Sequence, residues 1–170
     1  DADILSEKLI LERLRSEFPG FGITSEESER LVSQNGYTWL VDPLDGTNNY
    51  SFGIPFFTVC IALAHGDRML LGLTYDPLRH EMFRAVAGGG AYLNGQPIAV
   101  SPRTDTKTAL IGFDIGYEMG KGQETLDIAR ALRPQVFSYR VLGSGAMALA
   151  YVACGRLDIY MHRRLYPWDI

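Results

Sequence analysis

Apolar residues recur at helical spacing through residues 3–14, at Ile4, Leu5, Leu9, Ile10, Leu11 and Leu14, and the pattern stops at Phe18-Pro19-Gly20. This predicts a first helix with a sharp end. The period then shortens. Residues 21–24 read as a short strand running into Ser25-Glu26-Glu27-Ser28, and residues 29–36 as a polar connection. Trp39-Leu40-Val41 predicts a buried strand that ends on Asp42, followed by Pro43, Leu44, Asp45 and Gly46. Residues 56–64 form a continuous β-rich apolar run, His65-Gly66-Asp67-Arg68 a turn, and residues 69–75 the returning strand of a hairpin. Residues 81–86 predict another strand, Gly88-Gly89-Gly90 a flexible turn, and Asn94-Gly95 the strongest hairpin turn in the chain. Strands that follow one another this closely predict a largely antiparallel first sheet.

The second half changes character. It predicts a strand at 109–113, a helix at 123–132, a strand at 136–140, and a small-residue helix at 146–153 opened by Gly143-Ser144-Gly145 and ended by Gly155. Residues 157–161 predict a last strand. No repeat, low-complexity tract or linker interrupts the chain, so residues 1–170 read as one α+β domain of layered helices and sheets.

Composition narrows the function. With 46% hydrophobic and 21% charged residues, the 170-residue chain can bury a core and does not resemble a disordered one. A net charge of −4 with scattered Lys and Arg gives no footprint for nucleic acid. No apolar run reaches membrane-spanning length, and Asp1-Ala2-Asp3 lacks the basic and apolar regions of a signal peptide, so a cytoplasmic setting is expected. Cys60 and Cys154 both sit among apolar neighbours, which predicts buried thiols rather than a disulfide.

The chemistry concentrates at 38–50. Pro43 biases Asp42 toward an extended backbone and Gly46 permits a sharp turn, so the carboxylates of Asp42 and Asp45 can converge at the strand's end. Two such charges repel unless a cation lies between them. Mg²⁺ takes oxygen ligands, and the Leu44 carbonyl is a further candidate oxygen. Thr47 reads as a helix N-cap, whose N–H groups would suit an anion. A solvated surface turn has the same composition, so other segments must decide between the two readings. Glu26 or Glu27 can add a third carboxylate, Asp169 after Trp168 a fourth, and Asp3 heads the first helix.

Together these residues resemble the inositol monophosphatase family, the Mg²⁺-dependent, lithium-sensitive sugar phosphatases, in a member of bacterial type. One signature is similar to residues 39–49, W-L-V-D-P-L-D-G-T-N-N, and a second to Leu165-Tyr166-Pro167-Trp168-Asp169; residues 88–95 and Gly143-Ser144-Gly145-Ala146 are further landmarks in the same order. The resemblance covers essentially the whole chain. It implies a layered αβαβα sandwich of the sugar-phosphatase type, incomplete at both termini. It also implies that Glu26, Asp42 and the Leu44 carbonyl hold one Mg²⁺ while Asp42, Asp45 and Asp169 hold a second, with two or three ions in all. By the same resemblance Asp3 and Thr47 orient and deprotonate the attacking water, and Glu26 also touches it. Gly46 and Thr47 receive the phosphate, and Gly143, Ser144 and Gly145 lie against the alcohol portion.

The implied reaction is hydrolysis of a small phosphate monoester, inositol-1-phosphate or a related polyol or sugar phosphate, by metal-activated water. No nucleophilic Cys or Ser with a paired His is evident. The implied partner beyond substrate is a second copy, in a homodimer. Many animal-type members carry a glutamate where this chain has His162. Here His162-Arg163-Arg164 forms a basic rim, with His162 and Arg164 as candidate substrate contacts, which points to a second phosphate: fructose-1,6-bisphosphatase or nucleotide phosphatase activity is the alternative. A regulatory scaffold with a phosphatase fold is the rival from another class. Family chains extend beyond both ends of this one, so the reading expects a fragment, or a surface completed by a partner chain. It also expects a poorly held Asp169 one residue from the terminus.

Overall fold

The computed structural model describes residues 2–116, 119–163 and 165–169. Helix α1 (Ala2–Glu17) buries Leu11 and Leu14 against Ile23, Trp39 and Val41 of the first sheet. Ile10, partly buried, packs beside them. Leu5 and Leu9, which belong to the same apolar periodicity, are exposed, whereas Glu7 is buried.

Seven strands in chain order make the first sheet: β1 (Gly22–Ser25), β2 (Tyr37–Asp45), β3 (Thr58–His65), β4 (Arg68–Asp76), β5 (Glu81–Val86), β6 (Gly90–Leu93) and β7 (Gln96–Pro97). All neighbours are antiparallel except β1 and β2. Asn94 and Gly95 both take positive φ, 48° and 82°, as the predicted two-residue turn between β6 and β7 requires.

The central strand is longer than expected, and its irregularity builds the site. Asp42 pairs with Cys60 and Asp45 with Thr58, so three steps along β2 match two along β3. In a regular strand, residues three apart point to opposite faces. The extra residue of this β-bulge restores parity and turns Asp42 and Asp45 to the same side. Pro43, which has no N–H for a ladder, lies within the bulged segment, where its missing donor does least harm.

The second sheet has three parallel strands, with β8 (Leu110–Phe113) between β9 (Ser138–Val141) and β10 (Ile159–Met161). Helix α3 (Met119–Leu132) connects β8 to β9 and α4 (Gly145–Ala153) connects β9 to β10. The one-turn helix α2 (Thr47–Ser51) follows β2. Helix α4 packs on β2, β3 and β4 on one side and on β10 on the other, while the Tyr139 hydroxyl of β9 donates to the Ala129 carbonyl of α3 at 2.8 Å. The layers therefore run α1, first sheet, α4, second sheet, α3, the α+β sandwich expected. Cys60 is buried and Cys154 half-buried, both as free thiols. Among the described residues, no helix is long and apolar enough to cross a membrane.

Candidate active site

The carboxyl end of β2 and the carboxyl ends of all three strands of the second sheet open onto one cavity of about 320 Å³, the place where ligands collect in open parallel sheets. Glu26, Asp42, Leu44, Asp45, Gly46, Thr47, Gly143, Gly145, His162 and Asp169 line it. The sequence thus brings ten of its candidate residues to a single wall. Arg164 lies outside the described residues.

The floor is acidic. Asp42, Asp45 and Asp169 each offer an oxygen within 4.8 Å of the others. Asp42 is 2% exposed; its Oδ1 accepts the Leu44 N–H at 2.9 Å, a local turn that fixes the side chain. Burial first, then the charges of Asp45 and Glu26, push its carboxyl up to about 9. Burial also raises Glu26, with Glu27 and Asp169 adding to it and a contact with Asp42 opposing it. Asp169 is raised by burial, against the hydrogen bond it accepts from the Tyr166 N–H at 2.7 Å and the neighbouring His162. That tight turn, with Tyr166 and Trp168 stacked at 5.1 Å, holds Asp169 in place, contrary to the loosely held terminus expected.

Asp45 has a second task. Its Oδ1 accepts from the Gly145 N–H at 3.1 Å, and its Oδ2 from the Ala146 N–H at 3.1 Å, the Met147 N–H at 3.4 Å, the Thr58 hydroxyl at 3.3 Å and the Ser144 hydroxyl. A carboxylate 100 residues distant in sequence from Gly145 therefore caps the amino end of α4, whose orphan N–H groups need an acceptor. Burial still raises Asp45 above the ordinary carboxylate range, despite these hydrogen bonds.

Ser144 is correspondingly buried behind the wall, its hydroxyl turned to Asp45 and away from the cavity. Of the loop expected against the alcohol portion, Gly143 and Gly145 line the cavity and Ser144 does not.

The N-cap of α2 is Gly46, with φ 92°, and not Thr47, because only a residue free of a Cβ takes that left-handed turn without strain. Thr47 is the first helical residue; its hydroxyl donates to the Leu44 carbonyl at 3.0 Å, which leaves the oxygen's lone pairs to accept from a water. Asp3 does not line the cavity. Its Oδ1 accepts the Ile4 N–H at 3.0 Å, one helical turn before Ser6, whose hydroxyl donates to the Pro43 carbonyl at 2.9 Å and ties α1 to the bulge.

Asp114 and Lys121 are among the wall residues that escaped the sequence reading. Asp114 follows β8 as Asp42 interrupts β2, an acid closing an apolar run, and that signal could have found it. Lys121 is carried in by the start of α3, and nothing in the local sequence marks it.

The donor set is all oxygen; burial pushes every member toward its neutral form, and like charge adds to it at Asp42 and Asp45. A hard divalent cation relieves both, so the cluster fits Mg²⁺. Cys60 beneath it is no competitor as a soft ligand, since burial and the charge of Asp45 keep its thiol protonated.

The strand ends of a layered sandwich converge here on an acid floor that could hold a metal ion, beside glycine-rich turns. The chain belongs to the inositol monophosphatase family, whose profile matches residues 1–170. It is 37% identical over 171 residues to the Nus factor SuhB of Xylella fastidiosa, covering 100% of this chain and 62% of that protein. It is 36% identical to the inositol-1-monophosphatase of Rhizobium meliloti, covering 99% and 64%. The crystal structure of the extragenic suppressor protein suhB from Bartonella henselae superposes with a TM-score of 0.94 at 36% identity, covering 99% of this chain and 65% of that one. The chain thus spans somewhat under two thirds of the length of these relatives.

Proposed function

We propose that this chain forms the core of a Mg²⁺-dependent phosphomonoesterase acting on a small polyol or sugar phosphate, with inositol-1-phosphate as the nominal substrate. The observation that carries the reading is the convergence of Asp42, Asp45 and Asp169 oxygens within 4.8 Å, in the cavity that Gly46 and Thr47 also line. The family is Mg²⁺-dependent in general. Glu26, Asp42 and the Leu44 carbonyl would hold one ion, and Asp42, Asp45 and Asp169 a second, in a site of two or three. When bound, the ions neutralise the charge that builds on the phosphoryl and leaving oxygens.

The chain's own groups do the rest. The Gly46 and Thr47 backbone seats the phosphate through N–H groups alone, because a five-residue helix adds little dipole. Thr47 Oγ1 accepts a hydrogen bond from the attacking water, which Glu26 also touches; Asp3, outside the cavity wall in this structure, would have to approach to take its proton. Gly143 and Gly145 present a wall without side chains to the alcohol portion. The reading includes a single domain over residues 1–170, a cytoplasmic homodimer and sensitivity to lithium.

A second reading, a bisphosphate or nucleotide phosphatase, is favoured by Lys121, His162 and Arg163 in the lining of the same cavity. A third, a regulatory scaffold, is raised by the name of the Xylella relative, a Nus factor. Phosphate release from inositol-1-phosphate, fructose-1,6-bisphosphate, a nucleotide 3′-phosphate and NADP is to be measured on the full-length protein with Mg²⁺ and with chelator. Mg²⁺-dependent release from the first substrate, abolished in Asp42→Asn, is expected. Faster release from a bisphosphate would transfer the assignment to the second reading, and no release from any would remove the enzyme.

A further inference from the structure

Asp114 takes no part in the chemistry described above, yet it is 8% exposed in the cavity wall and both of its oxygens are engaged. Oδ1 accepts the Leu142 N–H at 2.9 Å and the Gly143 N–H at 2.7 Å, and Oδ2 accepts the Tyr160 hydroxyl at 2.9 Å. The carboxylate thus ties together the carboxyl ends of β8, β9 and β10, the three strands that open onto the cavity.

The peptide it grips is held from the other side as well. The Leu142 carbonyl accepts from Asn49 Nδ2 at 2.8 Å, and the same amide donates to the Phe56 carbonyl at 2.8 Å. The single peptide unit between Leu142 and Gly143 is therefore clamped at its oxygen by α2 and at its nitrogen by β8. Space at the clamp is closed: a Cβ on Gly143 would lie 2.8 Å from Asn49 Oδ1, and one on Gly46 would lie 3.2 Å from the Gly143 carbonyl oxygen. The far end of the loop is fixed by Asp45 through Ser144, Gly145 and Ala146. Asp114 is the acceptor that sets its near end.

We propose that Asp114, braced by Tyr160, is a positioning residue that holds the Leu142–Gly143 peptide as the wall against which the alcohol portion of the substrate is oriented. This rests on the phosphatase reading of the cavity. An acceptor for two N–H groups is needed, and the negative charge itself is not: an amide can take the same N–H groups through its oxygen and donate to Tyr160 through its nitrogen.

The test compares a substrate that reaches the wall with one that does not. Inositol-1-phosphate and methyl phosphate share the phosphate seat, but only the first carries a ring that meets Gly143. In the full-length protein, Asp114→Ala is expected to raise KM for inositol-1-phosphate about tenfold and to change methyl phosphate hydrolysis by less than about twofold. Asp114→Asn is expected to restore most of the loss. Tyr160→Phe, which removes one hydroxyl and leaves the core packed, is expected to act in the same direction by about threefold, and serves if Asp114→Ala does not fold.

Equal losses on both substrates, in Asp114→Ala or in Tyr160→Phe, would overturn the positioning role while leaving the phosphatase reading intact. So would an Asp114→Asn protein as impaired as the alanine variant. A wild-type protein that hydrolyses neither substrate would instead overturn the phosphatase reading, and this proposal with it.

Discussion

Asp42 titrates with a folded-state value of about 9, against an ordinary carboxylate value of about 4, so without metal the folded chain binds a proton that the unfolded chain has lost. The sign follows from linkage. A raised carboxyl contributes stability that is fully present below about pH 4 and lost progressively as pH rises toward about 9. The slope for one proton is about 1.4 kcal/mol per pH unit, or about 4 kcal/mol between pH 5 and pH 8. Glu26, Asp45 and Asp169 are shifted in the same direction. Glu81, lowered mainly by its hydrogen bond with Arg156, has finished titrating below this window and adds no slope.

In chelator, the melting temperature should therefore fall by about ten degrees from pH 5 to pH 8. Adding Mg²⁺ should reverse the trend, because at pH 7 a group titrating at about 9 is about 99% protonated and must release about one proton to bind the ion. Scanning calorimetry reads the first effect; titration calorimetry in two buffers of different ionisation enthalpy reads the second. A melting temperature that is flat or rises with pH in chelator, together with no proton released at pH 7, would refute the like-charge account of the floor.

Two predictions concern stability alone. Gly143→Ala puts a Cβ 2.8 Å from Asn49 Oδ1 at a φ of 73°, and should cost about 3 kcal/mol in urea denaturation from left-handed strain and overpacking combined; a loss under about 1 kcal/mol would mean Asn49 is not held as described. Arg156 makes two 2.6 Å hydrogen bonds to Glu81 and lies 4.9 Å from the Tyr151 ring centroid, but is 38% exposed. Arg156→Met should cost only about 1 kcal/mol after solvent screening, with turnover unchanged, and a loss of Mg²⁺-dependent activity would link the far edge of the sheet to the site.

Local chemistry in the sequence was enough to mark the strands, the hairpin at Asn94-Gly95 and the segment from Asp42 to Thr47, because each depends on residue types within a few positions. What it could not supply was the consequence of pairing. Asp-Pro-Leu-Asp-Gly looks like a turn, and only the register against Cys60 and Thr58 reveals a bulge that brings both acids to one side. The expected cap at Thr47 belongs to Gly46, since the choice depends on a backbone angle that side-chain preferences do not report. Asp45 at the amino end of α4, Ser144 turned away from the cavity and Asp114 between three strand ends all depend on contacts across 28 to 102 residues. Such distances carry no local signal.

The double occupation of Asp45 separates it from its neighbours on the cavity floor. Asp42 and Asp169 each secure one backbone N–H close by, whereas Asp45 holds the start of the helix that lies between the two sheets. A lineage that gave up hydrolysis for another role would be released from keeping Asp42 and Asp169, whose mutual repulsion works against folding, yet would still be compelled to keep Asp45. On the phosphatase reading, a relative that keeps the acid at 45 but lacks those at 42 and 169 would be expected to have an intact sandwich without hydrolysis.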